Sequence, residues 1–367
     1  MTMTQRLLVS TKKGLFTVAK QNGAWDVERV SFLGDAVSLA FYDDRRGALY
    51  AGLGLGHFGV KLWRSPDVGA TWEEVAAPKF PPEPEGEVST LPDGKPWPWR
   101  VEQIWALEAA GDDLWCGTIG GGLFRSPDQA KSWELSRPLW DHPKRKEWFG
   151  GGAEMPGIHS ICVDPRDARK LTLGVSCGGV WRTADAGQSW ELSSEGMFAE
   201  FMPPARRTDP AIQDPHRVVQ CRSNPERLWA QHHNGVFRSD NGARSWREVP
   251  TVKPSVFGFA VCVDPNDGDT AWLIPAQKDE KRVPVDAKVV VARTRDAGAT
   301  WEVLTKGLPQ THAYDLTYRH GFDIDPTGKR LAFGSTTGSL YLTEDAGDSW
   351  SCLSTHLPPI YAVRFAS

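Results

Sequence analysis

The sequence predicts an all-β fold: a seven-bladed β-propeller of four-stranded antiparallel blades, its ring closed by the C-terminal strand joining the N-terminal blade. Three observations lead there. A short pattern, Ser/Thr-x-Asp-x-Gly-x-Ser/Thr-Trp, recurs along the chain. Seven tryptophans, each closing one copy, fall at near-regular intervals. The first repeat lacks the residues for one strand, and the last is followed by a surplus one.

The pattern is complete at 65–72 (SPDVGATW), 183–190 (TADAGQSW), 294–301 (TRDAGATW) and 343–350 (TEDAGDSW). At 126–133 Ala130 replaces the glycine, and at 239–246 Asn241 replaces the aspartate. A degenerate copy, GLFTVAKQNGAW at 14–25, aligns without gaps to GLFRSPDQAKSW at 122–133. The closing residues Trp25, Trp72, Trp133, Trp190, Trp246, Trp301 and Trp350 are spaced by 47, 61, 57, 56, 55 and 49 residues, one four-stranded blade plus loops of varying length. The pattern has a mechanical purpose. Side chains at the Asp and Ser/Thr positions bond the backbone of a tight turn between two strands, and the tryptophan plugs neighbouring sheets. Asp67, Asp128, Asp185, Asn241, Asp296 and Asp345 are therefore read as structural, not catalytic.

The fourth repeat parses most clearly, into strands at 158–163, 171–175, 179–183 and 189–192. Asp164-Pro165, Asn224-Pro225, Asp264-Pro265 and Asp325-Pro326 mark turns between the first and second strands. The chain opens on a second strand at 7–10, so the apolar segment 360–365 is expected to supply the missing first one, removing an exposed edge. The chain is read as one domain, 1–367, with blades at about 1–30 plus 356–367, 31–76, 98–136, 157–194, 214–250, 254–305 and 313–355.

Composition excludes several classes of function. The net charge of -4, with no basic run beyond Lys144–Lys146, argues against a nucleic-acid partner. No stretch approaches the roughly 20 apolar residues of a membrane helix. The first eighteen residues hold no signal-peptide core, so a cytoplasmic location is expected. The six cysteines form no CxxC pair, and Cys162, Cys221 and Cys262, in similar positions of similar segments, read as small buried residues.

With its Asp-Gly turns and closing tryptophans, the whole chain resembles the Asp-box, or bacterial neuraminidase repeat, propellers. These include sialidases, xyloglucan-degrading enzymes, sortilin-type receptors and a photosystem assembly factor, and also uncharacterised bacterial proteins described as sialidase-like or glycosyl-hydrolase-like. The resemblance implies the fold and leaves the function open, because one repeat serves enzymes, receptors and scaffolds. The sialidases are six-bladed and carry an Arg-Ile-Pro motif near the start. Here the nearest string is Arg282-Val283-Pro284, within an insertion of the sixth repeat, so true sialidase activity is not expected. The xyloglucanases join two propellers.

In a propeller the Asp-box turns occupy one face, and the longer connections converge on the other. The long segments 76–100, 136–157, 193–216, 277–286 and 306–320 carry an unusual density of His, Arg, Trp and acidic residues. Candidate ligand-binding residues are Trp99, Arg100, Arg145, Trp148, His159, His216, His232, His233, Tyr314, Arg319 and His320. Glu154 and Asp315 are candidates for the two carboxylates of glycoside hydrolysis, with His159 as a further catalytic candidate. His159, His232 and His320 are candidate ligands for a divalent metal, although no HExxH-type spacing supports them. Two readings remain open at this point. One is a ligand-binding or hydrolase-like propeller acting on a small polar or anionic ligand, possible carbohydrate included. The other is a non-catalytic scaffold using the same face for a protein partner.

Overall fold

Residues 6–83, 90, 94–97, 99–151 and 155–366 are described by a computed structural model. Among them the strands form five four-stranded antiparallel sheets and one eight-stranded sheet. The eight-stranded sheet is two four-stranded units joined where Gly157 pairs with Ile119. The fourth repeat folds as strands Gly157–Val163, Leu171–Ser176, Gly179–Thr183 and Glu191–Leu192. The segment Ile360–Ala366 pairs antiparallel with Arg6–Thr11, which continues into Gly14–Gln21 and Ala24–Ser31. No helix among the described residues is long and apolar enough to cross a membrane.

The six better-preserved repeat turns share one hydrogen-bond network. In the first, Gly69 N donates to Ser65 Oγ (2.7 Å), while Thr71 N and Oγ1 donate to the two carboxylate oxygens of Asp67 (2.8 and 2.7 Å). These bonds hold the exposed carboxyls of Asp67, Asp128 and Asp185 down at about 2. Asn241 reproduces the network without charge, accepting from Ser245 N (3.0 Å) and donating to Ser245 Oγ (2.9 Å). Each turn places two successive residues in the left-handed region, such as Val68 and Gly69 (φ 63° and 83°). In four of these turns glycine relieves only the second of the two; Ala130 and Ala243 occupy that position at φ 66° and 63°, Ala243 after a glycine at the first.

Each sheet stacks on the next through apolar faces, with Trp115, Trp181, Trp229 and Trp272 almost fully buried between them. The innermost strands follow one another around a common centre. Val37–Asp43 lies beside Gln103–Ala110, which lies beside Gly157–Val163; next come Pro215–Gln220, Gly258–Val263 and Phe322–Ile324, and then Ile360–Ala366, which lies beside Val37–Asp43 again. Near one end of most of these strands the pairing register skips a residue. The skipped residues are Ser38, Trp105, His159, His216, the pair Phe259–Ala260, and Tyr361. A β-bulge re-aims its side chain out of the normal alternation.

Candidate functional site

Two cavities are lined by the inner strands. The smaller, about 530 Å³, is bordered by the turns at Asp43–Arg45, Asp164–Pro165, Pro265 and Asp325–Pro326. The larger, about 1210 Å³, opens among the long connections at the other end of the same strands. Trp105 and His320 line both and mark where they meet. The bulge residues Ser38, Trp105, His216, Phe259 and Tyr361 all line the larger cavity, so the inner strands themselves supply much of its wall.

Asp214 is the centre of its polar side. The residue enters the strand Pro215–Gln220, and its carbonyl accepts from His233 N (3.0 Å) across the blade. One carboxylate oxygen, Oδ1, accepts from Ser176 Oγ (3.1 Å) and Cys177 N (3.0 Å). The other, Oδ2, lies 3.5 Å from both His216 Nε2 and His233 Nδ1. His216 Nδ1 bonds the carbonyl of Gly258 (2.7 Å), and its ring stacks on Phe259 at 4.5 Å. A carbonyl can only accept, so Nδ1 carries the hydrogen and Nε2 is the nitrogen turned towards Asp214. Burial pushes the Asp214 carboxyl up, but the two histidines and Arg319 outweigh it and hold it well below its ordinary value. Burial lowers His216, with Asp214 opposing, whereas the Asp214 contact raises His233. Among the described residues, Asp214, His216 and His233 form the group of three whose donor atoms all lie within 4.8 Å of one another, the spacing needed to hold a metal.

Arg319 is the second feature. It is 9% exposed, and its guanidinium lies 5.0 Å from the Trp105 ring centroid and 5.5 Å from that of Phe259. Its Nε has no hydrogen-bond partner, and no ion pair to it is formed among the described residues. The other cavity arginines are paired: Arg282 with Asp279, and Arg100 with Glu102. The cavity wall therefore offers one buried cation with spare donors.

Of the residues singled out from sequence, Arg100, His216, His233, Arg319 and His320 line the larger cavity. Others are held elsewhere, for identifiable reasons. Trp99 packs on Phe80 and Trp140 (both 5.3 Å) and donates to the carbonyl of Pro81. Arg145 lies over Trp140 at 3.7 Å and donates to its carbonyl (2.6 Å), and burial brings its pKa down to about 10. Trp148 is fully buried against Trp181. These side chains build a small apolar core beneath the long connections rather than a ligand wall. Tyr314 is exposed and outside the cavity. Asp315 accepts from Ser335 Oγ (2.6 Å) and Thr337 Oγ1, bracing the final hairpin instead of facing a ligand. Glu154 lies outside the described residues.

The metal candidates also resolve differently. His159 bonds Ser160 Oγ (2.8 Å) through Nδ1 and the carbonyl of Pro215 (2.7 Å) through Nε2, so neither nitrogen is free. Burial, then the charge of Arg319, keeps it well below the ordinary histidine value. His232 has backbone N–H groups against both nitrogens, from Asp214 (3.0 Å) and Asn234 (3.1 Å), and burial lowers it to about 3. His320 donates Nε2–H to the carbonyl of His159 (2.7 Å). His159 and His232 thus have both nitrogens engaged, whereas His216, His233 and His320 each keep one for other chemistry. Asp214 was not among the sequence candidates. Its signal lay in the spacing Asp214-Pro215-His216 at the start of an inner strand, opposite the hairpin that bears His233.

No family model matches the sequence. Over 248 residues the chain is 25% identical to an oligoxyloglucan-reducing end-specific xyloglucanase of Emericella nidulans, covering 66% of this chain and 26% of the relative. It is 29% identical over 146 residues to xyloglucanase Xgh74A of Acetivibrio thermocellus, covering 35% of this chain and 16% of the relative. The chain thus spans about a quarter of the length of the first curated relatives it matches. Among solved structures it is similar to a periplasmic gluconolactonase of Pseudomonas aeruginosa, with a TM-score of 0.61 and 13% identity, covering 99% of both chains. It is also similar to an ancestral GH74 enzyme, with a TM-score of 0.56 and 17% identity, covering 83% of this chain and 36% of that one. These likenesses establish a β-propeller fold.

Proposed function

We propose that this chain is a carbohydrate-hydrolase-like propeller whose larger cavity takes a small anionic ligand, of which sugar acids are the best-fitting class. The fold reading beneath this is a seven-bladed Asp-box ring in which Ile360–Ala366 completes the first blade. It is supported by the cycle of inner strands and by the pairing of that segment with Arg6–Thr11. The carbohydrate class is supported by the matches to xyloglucanases.

The observation that carries the ligand reading is Arg319. Withdrawing a guanidinium from water costs several kcal/mol unless a counter-charge or good hydrogen bonds repay it. Trp105 and Phe259, at 5.0 and 5.5 Å, each return about 0.5–1 kcal/mol through their ring faces, and Asp214 acts from a distance without an ion-pair contact. A carboxylate entering the cavity would complete the set, since planar arginine donors match carboxylate geometry. Hydroxyl groups of the same ligand would find polar partners in Gln103 and Tyr318, with Trp105 and Phe259 as apolar walls.

The test is thermal shift and calorimetry with glucuronate, galacturonate and gluconate against glucose, followed by product analysis on acidic oligosaccharides. Sugar acids should raise the melting temperature and neutral glucose should not. Equal responses to acid and neutral sugars, or none to either, would refute the assignment.

A further inference from the structure

We propose that Asp214, His216 and His233 form a binding site for one divalent transition-metal ion of the zinc type. The distances give the first argument. A charge-assisted N–H···O⁻ bond spans about 2.7–2.9 Å. Asp214 Oδ2 instead stands 3.5 Å from each histidine nitrogen, too far for a strong hydrogen bond. Two donors each about 2.0–2.1 Å from one tetrahedral zinc lie about 3.3–3.5 Å apart. Both Asp–His spacings are those of ligands sharing an ion, and all three donor atoms lie within 4.8 Å of one another.

The second argument is the state of His216. Its side chain is 3% exposed, and its Nδ1–H is committed to Gly258 O. Nε2 is then the ring nitrogen that faces the Asp214 oxygen, placed to serve as a ligand beside it. The outer partners are also in place. Ser176 Oγ and Cys177 N fix Oδ1 of Asp214, leaving Oδ2 for the ion, and Gly258 sets the tautomer of His216. Metal sites depend on such supporting bonds to orient their ligands. Two histidines and one carboxylate leave a fourth position open, and all three residues line the 1210 Å³ cavity. Arg319 lines it too, so an ion and a guanidinium would converge on one anionic ligand. That shared role, though not metal binding itself, rests on the anionic-ligand reading.

The test uses purified, chelator-stripped full-length protein titrated with Zn²⁺ by calorimetry and with Co²⁺ by visible absorption. One equivalent should bind, Co²⁺ should develop the d–d bands of a low-symmetry nitrogen–oxygen site, and His233→Gln should weaken binding at least ~100-fold. Because His233 sits at a hairpin tip and uses its backbone N–H for the link to Asp214, this variant should fold; circular dichroism checks it. Ser176→Ala, which removes only a supporting bond, should weaken binding about 10-fold. His57→Gln, a cavity histidine outside the cluster, should bind as wild type. No stoichiometric binding, or equal binding by wild type and His233→Gln, overturns the proposal. Sugar-acid binding by a protein that takes up no stoichiometric metal would leave the ligand reading standing while the metal site fell, and metal uptake without sugar-acid binding would separate them the other way.

Discussion

Arg319→Met should make the protein more stable and unable to respond to anions. The structure sets the size of both effects. Removal of a buried, incompletely compensated charge by an apolar side chain of similar length recovers 1–4 kcal/mol in comparable cases. Loss of the ring contacts with Trp105 and Phe259 takes back about 1–2 kcal/mol. The difference spans about -1 to +3 kcal/mol, a net gain of about 1 kcal/mol at the midpoints. Asp214 is not stranded by the change, since Ser176, Cys177 and the two histidines still surround it. Unfolding entropy of about 2.1 cal/mol/K per residue over 367 residues makes 1 kcal/mol worth about 1.3 °C, so the expected rise is about 1 °C. In wild type, a sugar acid at 100 times its Kd should add about 2.7 kcal/mol, or about 3.5 °C, and in the variant nothing. Differential scanning calorimetry with and without ligand measures both. A variant less stable than wild type would mean that Arg319 is a structural cation whose partners already suffice. A variant with an undiminished ligand shift would place the anion elsewhere.

Three further outcomes follow from other parts of the molecule. Burial raises the Asp323 carboxyl to about 6, so its contribution to stability is present below its unfolded value near 3.9 and lost as pH rises through about 6; Asp323→Asn should therefore raise the melting temperature more at pH 8 than at pH 4, with an equal gain at both counting against the assignment. At the turns the sign is opposite: Asp185 is held at about 2, so its contribution is full above the unfolded value and disappears as pH falls towards 2. Asp185→Asn, copying Asn241, should flatten that part of the acid unfolding profile, and an unchanged profile would show that the turn carboxylate is not responsible. Deletion of residues 360–367 removes the buried Ile360, Val363 and Phe365 and bares the edge of Arg6–Thr11; soluble monomer should give way to aggregate in size-exclusion chromatography, and a monodisperse monomer would contradict closure by this segment.

The fold was legible because the turn pattern states its own hydrogen bonds. Ser65, Asp67, Gly69 and Thr71 are each required by one backbone atom, and the same requirement recurs through the chain. The site was legible only in part. Parsing the repeats placed His216, His233 and Arg319 on the face opposite the repeat turns, and all three line the larger cavity. It could not separate them from Trp99, Arg145 and Trp148, which belong to the same long connections but fold inward on one another. Large apolar rings in a long loop bury themselves wherever they find company, and sequence position does not record which company that is. His159 shows a different limit. Its bulge aims it at the centre as expected, yet Pro215 and Ser160 claim both nitrogens. Asp214 lies in the connection 193–216 but was given no role, because nothing in the sequence ties it to the hairpin that bears His233.

The bulges on the inner strands have a consequence for how such a chamber changes over evolutionary time. Ser38, Trp105, His216, Phe259 and Tyr361 each come from a different sheet, and each stands outside its ladder's regular pairing. Replacing one therefore alters the lining without disturbing a strand's alternation or its neighbours' register. The scaffold behaves like a combination lock, with roughly one dial per sheet, each free to turn while the casing stays rigid. A new specificity would require resetting a few dials rather than rebuilding a wall, which accounts physically for chains of one architecture and scant sequence identity serving unrelated ligands.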